Sequence, residues 1–195
     1  MLPKPVLIKT SHLLPGGLHT YIVPEPLYLS VLAQAGTPPE LLIAMQEEGS
    51  ELEIPSAISP IVTLCHIADF DRHDTHHMAL TLQGVECVKV ESMTLGDNDV
   101  KLGTYSPLPQ WRQQNTPQEY EYLSNKLAQY YRSNPTLHHH FNLAQYDELG
   151  WVCLRWLELL PIEVKQKQLL LSQPSPNQVA EFIDKLLRYP LENDE

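Results

Sequence analysis

Two dense histidine clusters stand out in this 195-residue sequence, and imidazole nitrogens are common metal ligands in proteins. His73, His76 and His77 lie within "HDTHH", and His138–His140 form a triplet. Together with Asp69, the first cluster raises the alternative of a small metal-dependent hydrolase. However, "DFDRHDTHH" is typical of a polar hairpin connection, and consecutive residues point in different directions on a helix or a strand. Because a metal site needs convergent ligands, we predict surface or structural roles for both clusters, with no metal and no cofactor.

Two further pairs carry groups that acid–base or nucleophilic chemistry could use. Cys65 and His66 are adjacent, but neighbouring residues of a strand face opposite sides of the sheet, so this histidine cannot activate this thiol. Asp69 and Asp71 would share one face if the strand continued that far, which would allow a carboxylate dyad or a cation site. A turn at the strand end is the favoured interpretation, because Asp is common in turns. No serine-hydrolase, zinc-protease, phosphate-loop or dinucleotide-binding signature is present, and we predict no enzyme activity.

Charge and hydropathy limit the classes of partner. The sequence has 13 basic and 24 acidic side chains and a net charge of −11, and the basic residues are scattered. Nucleic-acid binding needs a positive patch that displaces counterions, so DNA and RNA are not predicted partners. No apolar run approaches the roughly 20 residues of a membrane span, and the N-terminus lacks the features of a signal peptide. A cytoplasmic protein with three buried, reduced thiols at Cys65, Cys87 and Cys153 is expected.

Short apolar segments separated by turn residues fill the chain to about Trp111. In front of the second segment, Pro15 presets a turn and Gly16 or Gly17 can adopt a positive φ, so we predict a turn between two strands. Segments at this spacing predict a β-rich barrel or sandwich. They are "KPVLIK", "LHTYIV", "ELLIAM", "SPIVTLCHIADF", "HHMALTLQGVECVKVESM" and "DVKLGTYS".

Helical spacing predicts one helix within this first part, between Pro26 and Gly36, and several helices after it. Thr116, Pro117 and Glu119 match a capping box with proline at the first helical position. Pro161 ends a later helix, and Ser175–Pro176 begins the last one. The positions expected to face the core are Leu27, Val31, Leu32 and Ala35, then Tyr120, Leu123, Leu127 and Tyr130, then Leu149, Val152, Cys153, Trp156, Leu159 and Leu160 with Trp151, and finally Val179, Phe182, Ile183, Leu186 and Leu187.

We therefore divide the chain into a β-rich barrel at 1–111 and a helical subdomain at 112–195 packed on it. The joint around Leu108–Asn115 is too short and too poor in Gly and Ser for a flexible tether, so we expect both parts to unfold in one transition. The acidic, turn-prone segment Glu47–Ser56 is predicted to be a solvated loop.

Three segments together resemble the N-terminal, substrate-binding domain of Lon proteases. "VTLCHIADF" is similar to that family's Gly-Thr-x-Ala-x-Ile-x-x-Phe strand, and "LGWVCLRWLELLPIEVKQKQLLL" is similar to its segment through Glu-Leu-Leu-Pro. Leu27 stands where the family has Arg, Val62 where it has Gly, and no Arg follows near Cys87. The matching positions are Pro15 and Gly16 in the turn, Glu25 and Tyr28 in "LLPGGLHTYIVPEPLYLSVL", Gly84 before a later strand, and Lys167, Gln168, Leu170 and Leu171.

The resemblance implies an α+β fold, with a PUA-like β pseudo-barrel followed by a C-terminal helical bundle. It implies a free-standing, non-enzymatic module without ATPase or protease parts, which recognises unfolded or degron-like protein or peptide segments in a barrel groove or at an exposed sheet edge. For peptide binding we select Tyr21, Tyr28 and Trp111, which are aromatic residues near strand–helix junctions. Glu25 would cap or brace the helix. PUA-like barrels sometimes bind RNA, but the acidic charge predicts no steeply salt-dependent RNA affinity here.

Overall fold

The computed structural model describes residues 2–46, 59–134 and 145–188. The chain forms two compact units. Met1–Gln110 with Glu163–Lys165 makes up the first, which we call the β unit, and Trp111–Ile162 with Gln166–Glu195 makes up the second, the helical unit. The predicted loop at Glu47–Ser56 and the triplet His138–His140 lie outside the described residues.

The β unit is one six-stranded mixed sheet, and every apolar segment that predicted a strand forms one. The strands are β1 (Lys4–Lys9), β2 (Leu18–Pro24), β3 (Glu40–Met45), β4 (Ile61–Arg72), β5 (His77–Leu95) and β6 (Lys101–Pro107). Their order is β2-β5-β4-β3-β1-β6, and the second half of the long β5 also pairs with β6. Only the β1–β3 pair is parallel among these strands. The predicted pseudo-barrel is confirmed.

The glycine pair before β2 is a turn, as predicted. Gly16 has φ 76°, and the Gly17 N–H donates to the Leu14 carbonyl at 3.0 Å. The Gly16 N–H donates to Gly84 O, and the Gly84 N–H donates to Gly17 O, both at 2.9 Å. A Cβ on Gly84 would lie 2.3 Å from Leu14 O, so a side chain there cannot coexist with this backbone approach.

Helix α1 (Glu25–Ala35) covers one apolar cluster of the sheet. Tyr28, Val31 and Ala35 are its buried positions, whereas Leu32, which the sequence placed on the buried face, is 37% exposed. Because residues alternate between the faces of a strand, a second cluster forms on the other side of the same strands. It consists of Val6, Leu42, Ala44, Val62, Leu64 and Val88.

The helical unit contains α2 (Glu121–Ser133), α3 (Leu149–Leu159) and α5 (Pro176–Arg188), and α3 contacts both of the others. Helix α4 (Val164–Leu171) precedes α5. The core-facing row of α2 is Leu123, Leu127 and Tyr131, at steps of four. The sequence placed Tyr130 on this face, but Tyr130 is 41% exposed and Tyr131 is 1% exposed.

The predicted capping box is wrong, although the helix exists. A 3-10 turn (Gln118–Tyr120) precedes α2, and Pro117 is extended with no side-chain cap. The Thr116 N–H donates to Asp147 O at 2.7 Å, which holds Thr116 in an extended bridge region instead of at a helix start. Its hydroxyl has no hydrogen-bond partner among the described residues.

Helix α3 is buried on most of its circumference. The Glu148 carboxylate caps it by accepting the Gly150 N–H at 3.1 Å and the Trp151 N–H. Trp151 and Trp156 are core residues, as predicted, and the helix ends before Pro161. In residues 2–46, 59–134 and 145–188, no helix is both long and apolar enough to span a membrane.

Candidate functional site

The first histidine cluster forms the turn of the β4–β5 hairpin. The Asp74 carboxylate accepts the backbone N–H of His76 at 2.7 Å and of His77 at 2.9 Å, and it lies 3.0 Å from His77 Nδ1. These contacts, with the His76 N–H as the main one, lower the pKa of Asp74 to about 2. No three His, Cys, Asp or Glu side chains converge on a possible ion position anywhere in the described part of the chain. The metal-dependent hydrolase alternative therefore has no geometric support there.

Asp69 and Asp71 lie inside β4, so the interpretation of this segment as a turn is wrong. The strand continues because β5 pairs with it as far as Arg72. Each carboxylate accepts the N–H of its own next residue, Phe70 at 2.8 Å for Asp69 and Arg72 at 2.7 Å for Asp71. Each carboxylate thus makes a local backbone contact.

The three cysteines are buried thiols, as predicted. Cys65 is fully buried, and His66 beside it is partly exposed. Burial raises the pKa of the Cys153 thiol, because the thiolate would lose its hydration. A nucleophilic role requires a thiolate, so the burial of these residues favours a packing role.

His66 instead joins a polar cluster where β1, β3 and β4 lie side by side. Glu40 Oε2 lies 2.9 Å from Lys4 Nζ, and Glu40 Oε1 lies 3.1 Å from His66 Nε2. Burial alone would raise the pKa of Glu40, but the hydrogen bonds and charges of Lys4 and His66 outweigh it, and the pKa is lowered. Lys4 Nζ also donates to Ala35 O at 3.0 Å, at the end of α1. The cluster thus ties the helix end to the sheet.

Two of the three aromatic residues selected for peptide binding are buried in the described structure, and Trp111 is partly exposed. Tyr21 is 4% exposed and donates its hydroxyl to Ser11 O at 2.8 Å, and Tyr28 is 5% exposed. Trp111 belongs to the helical unit, where its Nε1 donates to Gln173 O at 2.7 Å. Their role in binding stays a prediction.

Exposed apolar side chains that were not predicted from the sequence lie where α1 meets the β4–β5 hairpin. Phe70 is 54% exposed and its ring lies 5.6 Å from that of Tyr28, while Leu29 on α1 is 56% exposed. Beside them, Arg72 Nη2 lies 2.7 Å from Glu25 Oε1, so Glu25 braces the helix start. We call Glu25, Leu29, Phe70 and Arg72 the helix–hairpin surface. Continued alternation through "DFDR" is the sequence signal that would place Phe70 and Arg72 on one face.

Strand β2 presents the second accessible feature of the β unit. Among the described strands, β2 pairs with β5 alone, whereas each of the others has at least two neighbours. Ile22, in the middle of β2, is 43% exposed. No described strand therefore pairs with the outer edge of β2.

Comparison with known proteins identifies the family. The family model described as "ATP-dependent protease La (LON) substrate-binding domain" matches residues 6–188. The crystal structure of a Lon N-terminal domain protein from Xanthomonas campestris is similar at TM-score 0.70 and 22% identity, covering 97% of this chain and 99% of that one. The N-terminal domain of a Mycobacterium avium complex Lon protease is similar at TM-score 0.62 and 14% identity, covering 97% and 100%.

These two structures show the fold, and no curated protein matches the chain significantly. The family match and the fold together confirm the resemblance drawn from the three sequence segments and the expected order of a β pseudo-barrel followed by helices. The chain belongs to the Lon substrate-binding domain family.

Proposed function

We propose that this chain recognises segments of protein substrates through its β unit and performs no catalytic step in doing so. The observation that carries the proposal is the family match over residues 6–188, since the matching family is described as a substrate-binding domain. The burial of the cysteines and the local backbone contacts of Asp69, Asp71 and Asp74 are consistent with a binding role.

The helix–hairpin surface is the contact that we propose for apolar side chains of the substrate. Leu29 and Phe70 are each more than half exposed, and burying them against a ligand removes apolar area from water. The surface is pre-organised, because Tyr28 supports Phe70 from the core and the Glu25–Arg72 ion pair fixes the hairpin against α1. Tyr28 would then act by holding Phe70 in place.

A peptide array and paired variants test this proposal. The purified chain is probed with arrayed peptides and with an unfolded protein, and affinities of the strongest peptides are then measured. We expect Leu29→Ser and Phe70→Ser each to weaken binding roughly tenfold, because each removes buried apolar area worth about 1.5 kcal/mol or more. Leu169→Ser is the matched control, since Leu169 is 53% exposed in the helical unit.

Two results would contradict the proposal. One is the absence of any bound peptide or unfolded protein above background. The other is an equal loss of affinity in Leu169→Ser and Phe70→Ser, because it would show that binding does not depend specifically on the β unit.

A further inference from the structure

In the described residues, the outer edge of β2 has no lysine, no internal proline and no bulge of the kind that usually protects such edges. Exposed edges are normally blocked by Lys, Pro, a bulge or a covering segment, because their unpaired N–H and C=O groups template the addition of another strand. The sequence of β2, "LHTYIVP", has no Lys, Arg, Asp or Glu, and its proline is the last residue. Its pairing with β5 is regular from Leu18 to Pro24.

Hydrogen bonds at both ends of β2 establish which residues face outward. The Gly84 N–H donates to Gly17 O at 2.9 Å, and the Glu25 N–H donates to His76 O at 2.8 Å. Both contacts belong to hydrogen-bonded pairs of the β2–β5 ladder. In an antiparallel ladder such pairs alternate with pairs whose backbone groups turn away from the partner strand.

By this alternation, the odd-numbered residues of β2 direct their backbone N–H and C=O groups towards β5. The even-numbered residues direct theirs towards the outer edge. Leu18, Thr20 and Ile22 therefore direct their N–H and C=O groups away from β5. Pro24 has no N–H and ends the usable edge. Each outward residue can give one donor and one acceptor to an added strand.

We propose that the open edge of β2 accepts an extended, positively charged segment of a protein substrate as an additional strand, hydrogen-bonded to the backbone of Leu18, Thr20 and Ile22. The proposal rests on the proposed function and deepens it by naming the backbone groups and the class of segment. Backbone pairing is insensitive to side-chain identity, so it gives affinity for many sequences.

The face of the sheet beside this edge supplies an apolar contact. Ile22 is exposed on the side of β2 that carries Thr20, whose hydroxyl lies 2.8 Å from that of Thr81 on β5. Tyr21 and Val23 point into the core instead. An aliphatic side chain of the added strand would pack against Ile22 at cross-strand distance.

Charge on the neighbouring strands favours a cationic segment. The rows of paired residues run from Ile22 through Ala79 to Asp71 and from Thr20 through Thr81 to Asp69. Both carboxylates therefore lie about 10 Å from β2, two strand spacings away, and about 15 Å from the backbone of an added strand. A long cationic side chain that leans over β2 shortens this separation towards the screening length in physiological salt. The charge of Arg72 next to them is paired with Glu25. The whole chain carries a net charge of −11.

The probe is a seven-residue peptide that alternates Lys with Val or Thr, compared with the same peptide in which Glu replaces Lys. Binding is measured on the full chain. We expect Thr20→Pro to weaken binding tenfold or more, because it removes an outward N–H that the added strand would use. Thr20→Val is the matched control, since it loses the hydroxyl contact with Thr81 but keeps the N–H, and it should stay within about twofold.

Amide hydrogen exchange on the unsubstituted chain gives a second measurement that does not depend on how a variant folds. In the unbound chain, the amides of Thr20 and Ile22 should exchange quickly, while those of Tyr21 and Val23, bonded to β5, should exchange slowly. The Lys-containing peptide should slow Thr20 and Ile22 specifically.

Each alternative outcome has a distinct meaning. If arrayed peptides bind but Thr20→Pro changes nothing, or if the Lys-containing probe does not bind, the edge is not the site and the proposed function still stands. Equal binding of the Glu-containing peptide overturns the charge assignment. If the Thr20 and Ile22 amides become protected from hydrogen exchange as the protein concentration rises, without any peptide, a second copy of the chain occupies the edge. That result overturns the proposal. Absence of binding to every peptide and unfolded protein refutes the proposed function itself.

Discussion

The two units satisfy their polar groups in opposite ways. Helices bond their backbone groups internally, so the middle of a helix presents only side chains to a partner. In the β unit no described strand pairs with the outer edge of β2, and the Glu25–Arg72 ion pair lies at the surface. Recognition of many unrelated sequences is thus better suited to the sheet, where the backbone itself can bind.

The helical unit, by contrast, buries a charge. The Arg155 side chain is fully buried, and its Nε and Nη2 each lie 2.9 Å from a different oxygen of Glu158, whose side chain is 12% exposed. The guanidinium carbon also lies 5.5 Å from the ring centre of Trp151. A two-point contact of this kind requires one defined arrangement of α3, so the polar group specifies packing instead of offering a binding surface.

The largest expected effect comes from breaking this buried pair. Arg155→Ala removes the buried Arg155–Glu158 contact and the packing beside Trp151, so the free energy of unfolding should fall by about 3–5 kcal/mol. Urea unfolding measures it. The control is Lys185→Ala, which breaks an exposed pair with Glu181 and should cause no measurable change. Similar losses in both variants would contradict the contrast between buried and exposed charges.

The same variant tests whether the two units unfold together, which stays a prediction from the sequence. Trp111, Trp151 and Trp156 all belong to the helical unit, whereas far-UV circular dichroism also reports the strands. A single transition predicts that Arg155→Ala shifts the fluorescence and dichroism midpoints equally. Unequal shifts of the two midpoints, or a dichroism transition in two steps, would show that the β unit unfolds separately.

Local patterns in the sequence predicted the elements, but not all the faces they bury. The strand segments and the turn at Gly16 depend on neighbouring residues, and the sequence identified them. The choice between Tyr130 and Tyr131 depends on the direction from which α3 packs. The capping box at Thr116 does not form because the Thr116 N–H donates to the Asp147 carbonyl. Such choices are made by residues distant in sequence.

The candidate site was less predictable, for the same physical reason. A free strand edge is a property of the strand order, which no local pattern contains. The exposure of Phe70 depends on β5 extending β4 beyond the core, and the burial of Arg155 depends on its pairing with Glu158. The family resemblance supplied the fold and the binding hypothesis, whereas Tyr21 and Tyr28 are core residues and Trp111 makes its hydrogen bond within the helical unit.

A smaller effect is expected at Gly84, where the β unit depends on close backbone contact. A Cβ would lie 2.3 Å from Leu14 O and 2.8 Å from Leu14 C, so Gly84→Ala must displace the turn before β2. We expect a loss of about 2–3 kcal/mol in thermal or urea unfolding, at the upper end for overpacking. Val85→Ala is the matched control, because Val85 is 41% exposed and should change stability little. Equal stability of Gly84→Ala and the unsubstituted chain would rule out the close approach.

The smallest expected effect on the free energy of unfolding comes from Asp74, an exposed acid in the β4–β5 hairpin. It is the change in that free energy at low pH. The His76 N–H, followed by the contacts of His77, lowers the pKa of Asp74 from 3.8 to about 2. A lowered pKa in the folded state stabilises the fold above the unfolded value, and this contribution is lost as the pH falls from about 4 to about 2. The stability difference between the unsubstituted chain and Asp74→Asn should thus shrink as the pH falls from about 4 towards 2. An NMR titration of the Asp74 carboxyl should give a midpoint near 2. A midpoint near 4 would mean that the hairpin turn does not hold the carboxylate in solution.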